Sequence, residues 1–196
     1  MSFDDIKQLL TDKFGDEVIV GEERTGLQPA LVIAPGHIAD VCLELRDNPK
    51  TYFDFLSCLS GVDYGVDEAR FGVVYHLTSI PYNLQLTLKI STINSREETN
   101  LPSFPSVSGI YRTADWHERE AYDLVGIFFE GHPDLRRILL PDDWEGYPLR
   151  RDYETAAYYK GIYIDFEPKP GDENTLAQGE KVQHEKMGIG NGPEGA

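Results

Sequence analysis

Phe71-Gly-Val-Val-Tyr-His-Leu-Thr-Ser-Ile80, followed by Asn83-Leu-Gln-Leu-Thr-Leu-Lys-Ile-Ser-Thr-Ile93, is the stretch on which the reading of the fold turns. In its second half Leu84, Leu86, Leu88 and Ile90 alternate with Gln85, Thr87, Lys89 and Ser91. A period of two sends one set to a dry face and the other to a wet one. Pro81-Tyr82 interrupts the run where a tight connection belongs, so the pair reads as an antiparallel hairpin.

Upstream, residues 51–59 are aromatic and apolar and lead into Gly61-Val-Asp-Tyr-Gly65, which reads as a turn. Ile38, Val41, Cys42 and Leu45 fall on one helical stripe after Pro35-Gly36, which makes Cys42 a small core residue. Residues 17–20 and 29–34 read as short strands around the polar turn Glu22-Glu-Arg-Thr-Gly26. Ser2-Phe-Asp-Asp5 is a capping box ahead of Phe3, Ile6, Leu9, Leu10 and Phe14, and Gly15 is placed to end that helix. Downstream, Ser95-Arg-Glu-Glu-Thr-Asn100 with Pro102 and Pro105 reads as a loop, and residues 107–111 as a further short strand. Asp115-Trp-His-Glu118 reads as a second capping box, opening a helix that Gly126 closes.

After Phe129 Gly, Pro and Asp recur every few residues through Tyr153, which excludes regular structure beyond a turn or two. From Gly171 onward Gly, Glu, Asn, Gln and Lys dominate, with too little apolar surface to offset the entropy of ordering. The expectation is therefore an α+β fold, an antiparallel or mixed sheet with helices packed on it, followed by an irregular extended C-terminal arm. Residues 1–130 form the globular domain, 131–170 a partner-binding arm, and 171–196 a tail that is disordered unless bound to a partner.

The 196 residues, 40% of them apolar, suffice for one core with an attached arm. With 18 basic and 34 acidic side chains the net charge is −16, which argues against nucleic acid or a membrane surface bound through phosphates. Cys42 and Cys58 are the only cysteines, too few for a four-thiolate cluster or zinc site, and no disulfide framework can be built. The N-terminus carries acids where a signal peptide carries Lys or Arg, and no apolar run reaches the roughly 18 residues of a membrane span. The composition points to a cytosolic, reducing compartment.

Residues 115–153 contain Arg119, Arg136, Arg137, Arg150 and Arg151 and no Lys, although the chain has eight Lys elsewhere. Arg presents a planar fork that pairs bidentately with carboxylates and stays charged when desolvated. Glu118, Glu120, Asp123, Asp134, Asp142, Asp143 and Asp152 are interleaved with these arginines. A solvated charged face is one explanation. Against it stand Trp116, Tyr122, Phe128, Phe129, Ile138, Trp144, Tyr147 and Leu149 in the same stretch, a mixture typical of an interface. Arg119 and Asp123, four apart on a helix, are alternatively an internal pair.

The run from Glu118-Arg-Glu-Ala-Tyr-Asp-Leu-Val-Gly-Ile-Phe-Phe-Glu-Gly-His-Pro-Asp-Leu-Arg-Arg through Ile-Leu-Leu-Pro-Asp-Asp-Trp-Glu-Gly-Tyr-Pro-Leu-Arg-Arg-Asp-Tyr153 resembles, without a gap, the signature of the 30-kDa family, the C subunits of NADH:quinone oxidoreductase, respiratory complex I. Gly61-Val-Asp-Tyr64 resembles that family's earlier turn, while Val125 and Arg151 are small departures from its pattern. The resemblance covers most of residues 1–153. It implies a component without catalytic residues or cofactor of its own, FMN and Fe–S clusters lying elsewhere in the complex. The implied partners are the large quinone-site D subunit and the small cluster-bearing B subunit. The implied location is peripheral, on the cytoplasmic face of the cell inner membrane, bracing the module in which electrons from NADH reach quinone with proton translocation. The implied interface residues are Glu118, Arg119, Glu120, Asp123, His132, Asp134, Arg136, Arg137, Trp144, Arg150, Arg151 and Asp152. Related subunits of membrane-bound hydrogenases, and of quinone reductases with other electron donors, share parts of the signature, so an equivalent role there is the alternative.

A stand-alone binding or hydrolytic protein is the remote alternative. His117 and His132 each sit near carboxylates, but neither has a second His four residues on, and Pro133 makes the His132 segment a turn. Both read as structural or interface histidines. Ser106-Val-Ser-Gly109 lacks the Gly-x-Ser-x-Gly form of a nucleophile elbow, and Gly188-Ile-Gly-Asn-Gly192 follows no strand.

Overall fold

The computed structural model describes residues 1–164 other than 27 and 98. A first compact unit runs Met1–Tyr153 and a second Glu154–Ala196.

Helix α1 (Phe3–Phe14) starts as expected: the Asp5 amide donates to Ser2 Oγ at 3.2 Å and the Ser2 amide to the Asp5 carboxylate at 2.7 Å. Its apolar face buries Ile6 and Leu10. The hairpin that decides the fold is β4 (Arg70–Ser79) with β5 (Leu84–Ile93), paired antiparallel from Arg70↔Ile93 to Ser79↔Leu84. Strand β3 (Phe55–Asp63) joins β4 antiparallel on one side. On the other, β2 (Ala30–Ile33) lies parallel to β5 and antiparallel to β1 (Ile19–Glu23). The order β1-β2-β5-β4-β3 is thus a mixed sheet. One of its faces buries Leu56, Leu59, Phe71, Val73, Tyr75, Leu77, Leu86, Leu88 and Ile90 in the core, with Ile38, Val41, Cys42 and Leu45 from α2 (Ile38–Asp47).

Several boundaries move from their expected places. Glu22 and Glu23 belong to β1 rather than the following turn, since Glu23 pairs across the sheet with Lys89, and Glu22 with Lys7 and Arg24. Gly61, Val62 and Asp63 continue β3 instead of turning, held opposite Val73, Gly72 and Phe71. Residues 107–111 form a hydrogen-bonded turn, with the Ile110 and Tyr111 amides donating to Val107 O at 2.9 Å. The strand lies earlier, at β6 (Ser103–Pro105), parallel to β7 (Phe128–Glu130). Pro105 is tolerated because the strand is three residues long and pairs on one side only.

Helix α3 (Ala114–Val125) packs on β3. Gly61 makes this approach possible, since a Cβ there would come within 3.0 Å of Ile127 and 3.1 Å of Ala121. Gly126 ends α3 in the left-handed conformation, φ 73°, as expected. The second capping box does not form. Thr113 precedes the first helical residue, and Asp115 lies inside the first turn, where it takes other partners.

Residues 131–153, assigned above to the arm, fall within the first compact unit. In the second unit the described residues include a small hairpin, β8 (Tyr158–Tyr159) with β9 (Ile162–Tyr163), its turn made by Lys160 and Gly161 at positive φ. The rest of the expected arm, from residue 165, and the expected tail lie outside the described residues.

Candidate partner interface

Helix α3 organises the irregular segment that follows it. Asp123 is fully buried, and its Oδ2 accepts the backbone amides of Ile138, Leu139 and Leu140 at 2.9, 2.7 and 3.0 Å. Arg137 Nη1 reaches Oδ1 at 3.4 Å and its Nη2 donates to Gly146 O at 3.2 Å. One carboxylate thus folds a Pro- and Gly-broken loop by supplying acceptors to amides that have no strand or helix to pair with.

One turn earlier, Arg119 does not pair with Asp123. Its Nε donates to Asp115 Oδ1 at 2.9 Å and its Nη2 lies 3.2 Å from Asp134 Oδ2. Glu118 points inward, accepting Ser106 Oγ at 2.6 Å and the Val107 amide at 2.7 Å. Burial outweighs these bonds and pushes its carboxyl up to about 7. The His132 side chain is also fully buried, its Nε2 3.2 Å from Asp115 Oδ1 and 3.9 Å from Glu118 Oε2. The Asp134 amide donates to His132 Nδ1 at 3.1 Å, so the ring proton sits on Nε2 and is given to Asp115.

A second knot ties the end of the segment to the sheet. Arg96 binds Asp63 through Nη1 and Nη2 and Asp152 through Nε and Nη2, the Asp152 bonds being 2.8 and 2.9 Å. Burial alone would raise the Asp63 carboxyl. Arg96, with the Arg151 and Gly65 amides at 2.8 Å, overrides this and holds it at about 2. Asp152 is likewise lowered by its bonds to Arg96. Arg150 is buried with carbonyls as its hydrogen-bond acceptors, Val125 O at 2.8 Å, Arg96 O at 3.2 Å and Gly126 O at 3.3 Å, and with the rings of Phe71 and Tyr147 on its faces. Its burial depresses the guanidinium.

The twelve residues expected at the interface therefore divide. Glu118, Arg119, Asp123, His132, Arg137 and Arg150 are turned into the chain's own structure. Trp144 is half-buried, its indole N–H donating to Tyr153 OH at 3.1 Å. Glu120, Asp134, Arg136, Arg151 and Asp152 are exposed, Arg136 with 69% of its side chain in solvent. Beside them stand exposed Trp116, Leu139 and Leu149. Asp63 and Arg96, outside the arginine-rich stretch, form a buried ion pair that the sequence reading missed. The only signal was Asp63 within the quoted Gly61-Val-Asp-Tyr64.

Cys42 is buried in the core on the inner face of α2, whereas Cys58 lies on the opposite face of the sheet, so the two thiols do not converge on a shared metal or cluster. Among the described residues no group of three or more His, Cys, Asp and Glu side chains is placed to hold a metal, and no helix is long and apolar enough to cross a membrane.

Residues 31–159 match the family described as "Respiratory-chain NADH dehydrogenase, 30 Kd subunit". Among curated relatives, the C subunit of the NADH-quinone oxidoreductase of Chloroherpeton thalassium is 44% identical over 161 residues, covering 81% of this chain and 64% of that protein. The corresponding subunit of Chlorobium phaeobacteroides is 42% identical over 158 residues, covering 81% and 92%. That of Salinispora arenicola is 51% identical over 138 residues, covering 68% of this chain and 54% of the relative. A solved chain from the archaeal membrane-bound sulfane sulfur reductase, a respiratory membrane complex, shares the fold at a TM-score of 0.55 and 21% identity, covering 98% of this chain and 95% of that one.

Proposed function

The chain belongs to the 30-kDa subunit family of respiratory-chain NADH dehydrogenase, and from that premise we propose that it is a non-redox peripheral subunit bracing the quinone module of an NADH:quinone oxidoreductase. The observation that carries this reading is the family match across residues 31–159, which includes the whole arginine-rich stretch. In the assembled complex FMN and Fe–S clusters on other subunits carry electrons from NADH to quinone, and proton translocation is coupled to that transfer. This chain's two separated thiols do not fit a cluster.

Its own contribution is a rigid surface. Asp123 and Arg96 hold residues 131–153 against α3 and the sheet before any partner arrives, while Glu118 ties α3 to residues 106 and 107. Preorganisation lowers the entropy lost on docking. Partner contact then falls to the outward groups Glu120, Arg136, Trp116, Leu139 and Leu149, with the exposed edges of Asp134, Arg151 and Asp152. The partners are the large quinone-site D subunit and the small cluster-bearing B subunit, at the cytoplasmic face of the membrane.

Co-purification tests this. A tagged chain should be recovered from solubilised membranes with both partners, and charge reversal at the two exposed positions, Glu120→Lys with Arg136→Glu, should lower that recovery without lowering the melting temperature. Recovery of the wild-type chain alone would overturn the reading.

A further inference from the structure

Two carboxyls of α3 are fully buried, and they are served differently. Asp123 has a guanidinium and three amides. Glu118 has two neutral donors, the Ser106 hydroxyl on Oε2 and the Val107 amide on Oε1, and among the described residues no Lys or Arg within bonding distance. A carboxylate so placed is neutralised more readily than it is kept charged. The groups facing it come from each element packed around it. Asp115, on the same helix, is held by Arg119. Tyr75 of β4 and Cys42 of α2 face it from the core; burial pushes both up, and the charge of Glu118 adds to that, so neither supplies positive charge.

His132 comes from the turn after β7. Its Nδ1 accepts the Asp134 amide, so the ring has one N–H to place, on Nε2. That nitrogen lies 3.2 Å from both the carbonyl and Oδ1 of Asp115, and 3.9 Å from Glu118 Oε2. An ionised Glu118, fully buried, would be the acceptor in greater need of the N–H than Asp115, whose side chain is 35% exposed and already holds Arg119. The ring nevertheless faces Asp115, which is the arrangement of a proton-bound Glu118. A route for that proton is also present. Ser106 Oγ lies 2.6 Å from Glu118 Oε2 and 2.8 Å from Ser108 Oγ, and accepts the Ser108 amide at 3.2 Å. With Glu118 ionised, Ser106 donates to it and accepts from Ser108. With Glu118 protonated, the carboxyl donates to Ser106, which donates to Ser108. Both serines are half-buried beside exposed Gly109, so reversing the two hydroxyls carries a proton between the interior and solvent.

We propose that Glu118 is a proton-operated switch of the turn that follows β7, loaded through Ser106 and Ser108. When it is protonated, the His132 N–H is given to Asp115, and Asp134 is held between the imidazole and Arg119. When it is ionised, the imidazole turns its N–H to Glu118, which draws the ring away from Asp115 and from the Asp134 amide. Asp134 also pairs with exposed Arg136 at 3.1 Å, so a change at the buried carboxyl reaches the outward surface. The switch is a property of this chain by itself and does not rest on the bracing role.

The test is an NMR titration of the full chain from about pH 5 to pH 9, following the backbone amides of Val107 and Asp134. Val107 reports on the carboxyl directly, and Asp134 reports on His132. Both should shift together with one midpoint of about 7, where burial has raised the carboxyl. Glu118→Gln, which keeps an acceptor for the Val107 amide and a donor for Ser106, should remove both transitions and leave the two amides at their acid-side positions. Ser106→Ala, which takes a donor from the ionised form, should move the shared midpoint up. Melting temperatures establish that each variant is folded, and Ser106→Ala decides the matter if Glu118→Gln is not. A shift of Val107 without Asp134, a transition that survives in folded Glu118→Gln, or an unmoved midpoint in folded Ser106→Ala would each overturn the proposal. The outcome is independent of whether the chain co-purifies with other subunits.

Discussion

Asp63 and Glu118 are both buried carboxyls, and their surroundings drive them in opposite directions. Asp63 meets a bidentate guanidinium and two amides and sits at about 2, below its ordinary 3.8. Its contribution, about 2 kcal/mol, is present above the unfolded value and is lost as pH falls from there towards 2. Glu118 meets one hydroxyl, one amide and no cation within bonding distance, and sits at about 7, above its ordinary 4.5. Between those values the folded chain keeps a proton that the unfolded chain has released, so stability falls by about 3 kcal/mol as pH rises through that window and is level above it. Urea midpoints from about pH 3 to pH 8 check both signs. Glu118→Gln should abolish the decline between about 4.5 and 7 while leaving the acid limb due to Asp63 in place. Parallel curves for variant and wild type would contradict this assignment.

At the scale of elements, periodicity was legible and the partners of charged side chains were not. The alternation in β5 and the stripe of α2 report directly on burial, because one local repeat sets which side faces the core. Arg119 shows the limit. On a helix it has neighbours four residues away in both directions, Asp115 and Asp123, and spacing cannot choose between them. The choice is made by the loop after β7, whose amides at 138–140 occupy Asp123 and leave Asp115 to Arg119. Asp123→Ala should therefore leave three amides without an acceptor and cost about 3 kcal/mol or more, at about 1–3 kcal/mol per buried orphan. Hydrogen exchange at Ile138, Leu139 and Leu140 should accelerate more than exchange in β4 and β5. Unchanged protection of those three amides would show that something else folds the loop.

At the scale of the molecule, the first compact unit ends at Tyr153. A chain ending there should unfold cooperatively with a melting temperature close to that of the full chain. A non-cooperative transition would show that the remainder is needed for folding. The α+β class with an antiparallel or mixed sheet, the hairpin at its centre, the two-cysteine limit and the family signature were all determined by the sequence alone, because each rests on composition or on relations between near neighbours. The tertiary structure decided that residues 131–153 lie within the first compact unit, and that half of the expected interface residues turn inward. It also decided that Arg96, in a polar loop with no distinguishing pattern, joins Asp63 to Asp152. Arg96 is 33 residues from one partner and 56 from the other. No local periodicity spans such separations; they are closed only when the sheet and α3 bring the chain's distant parts together, and the free energy of burying those charges then selects the partners.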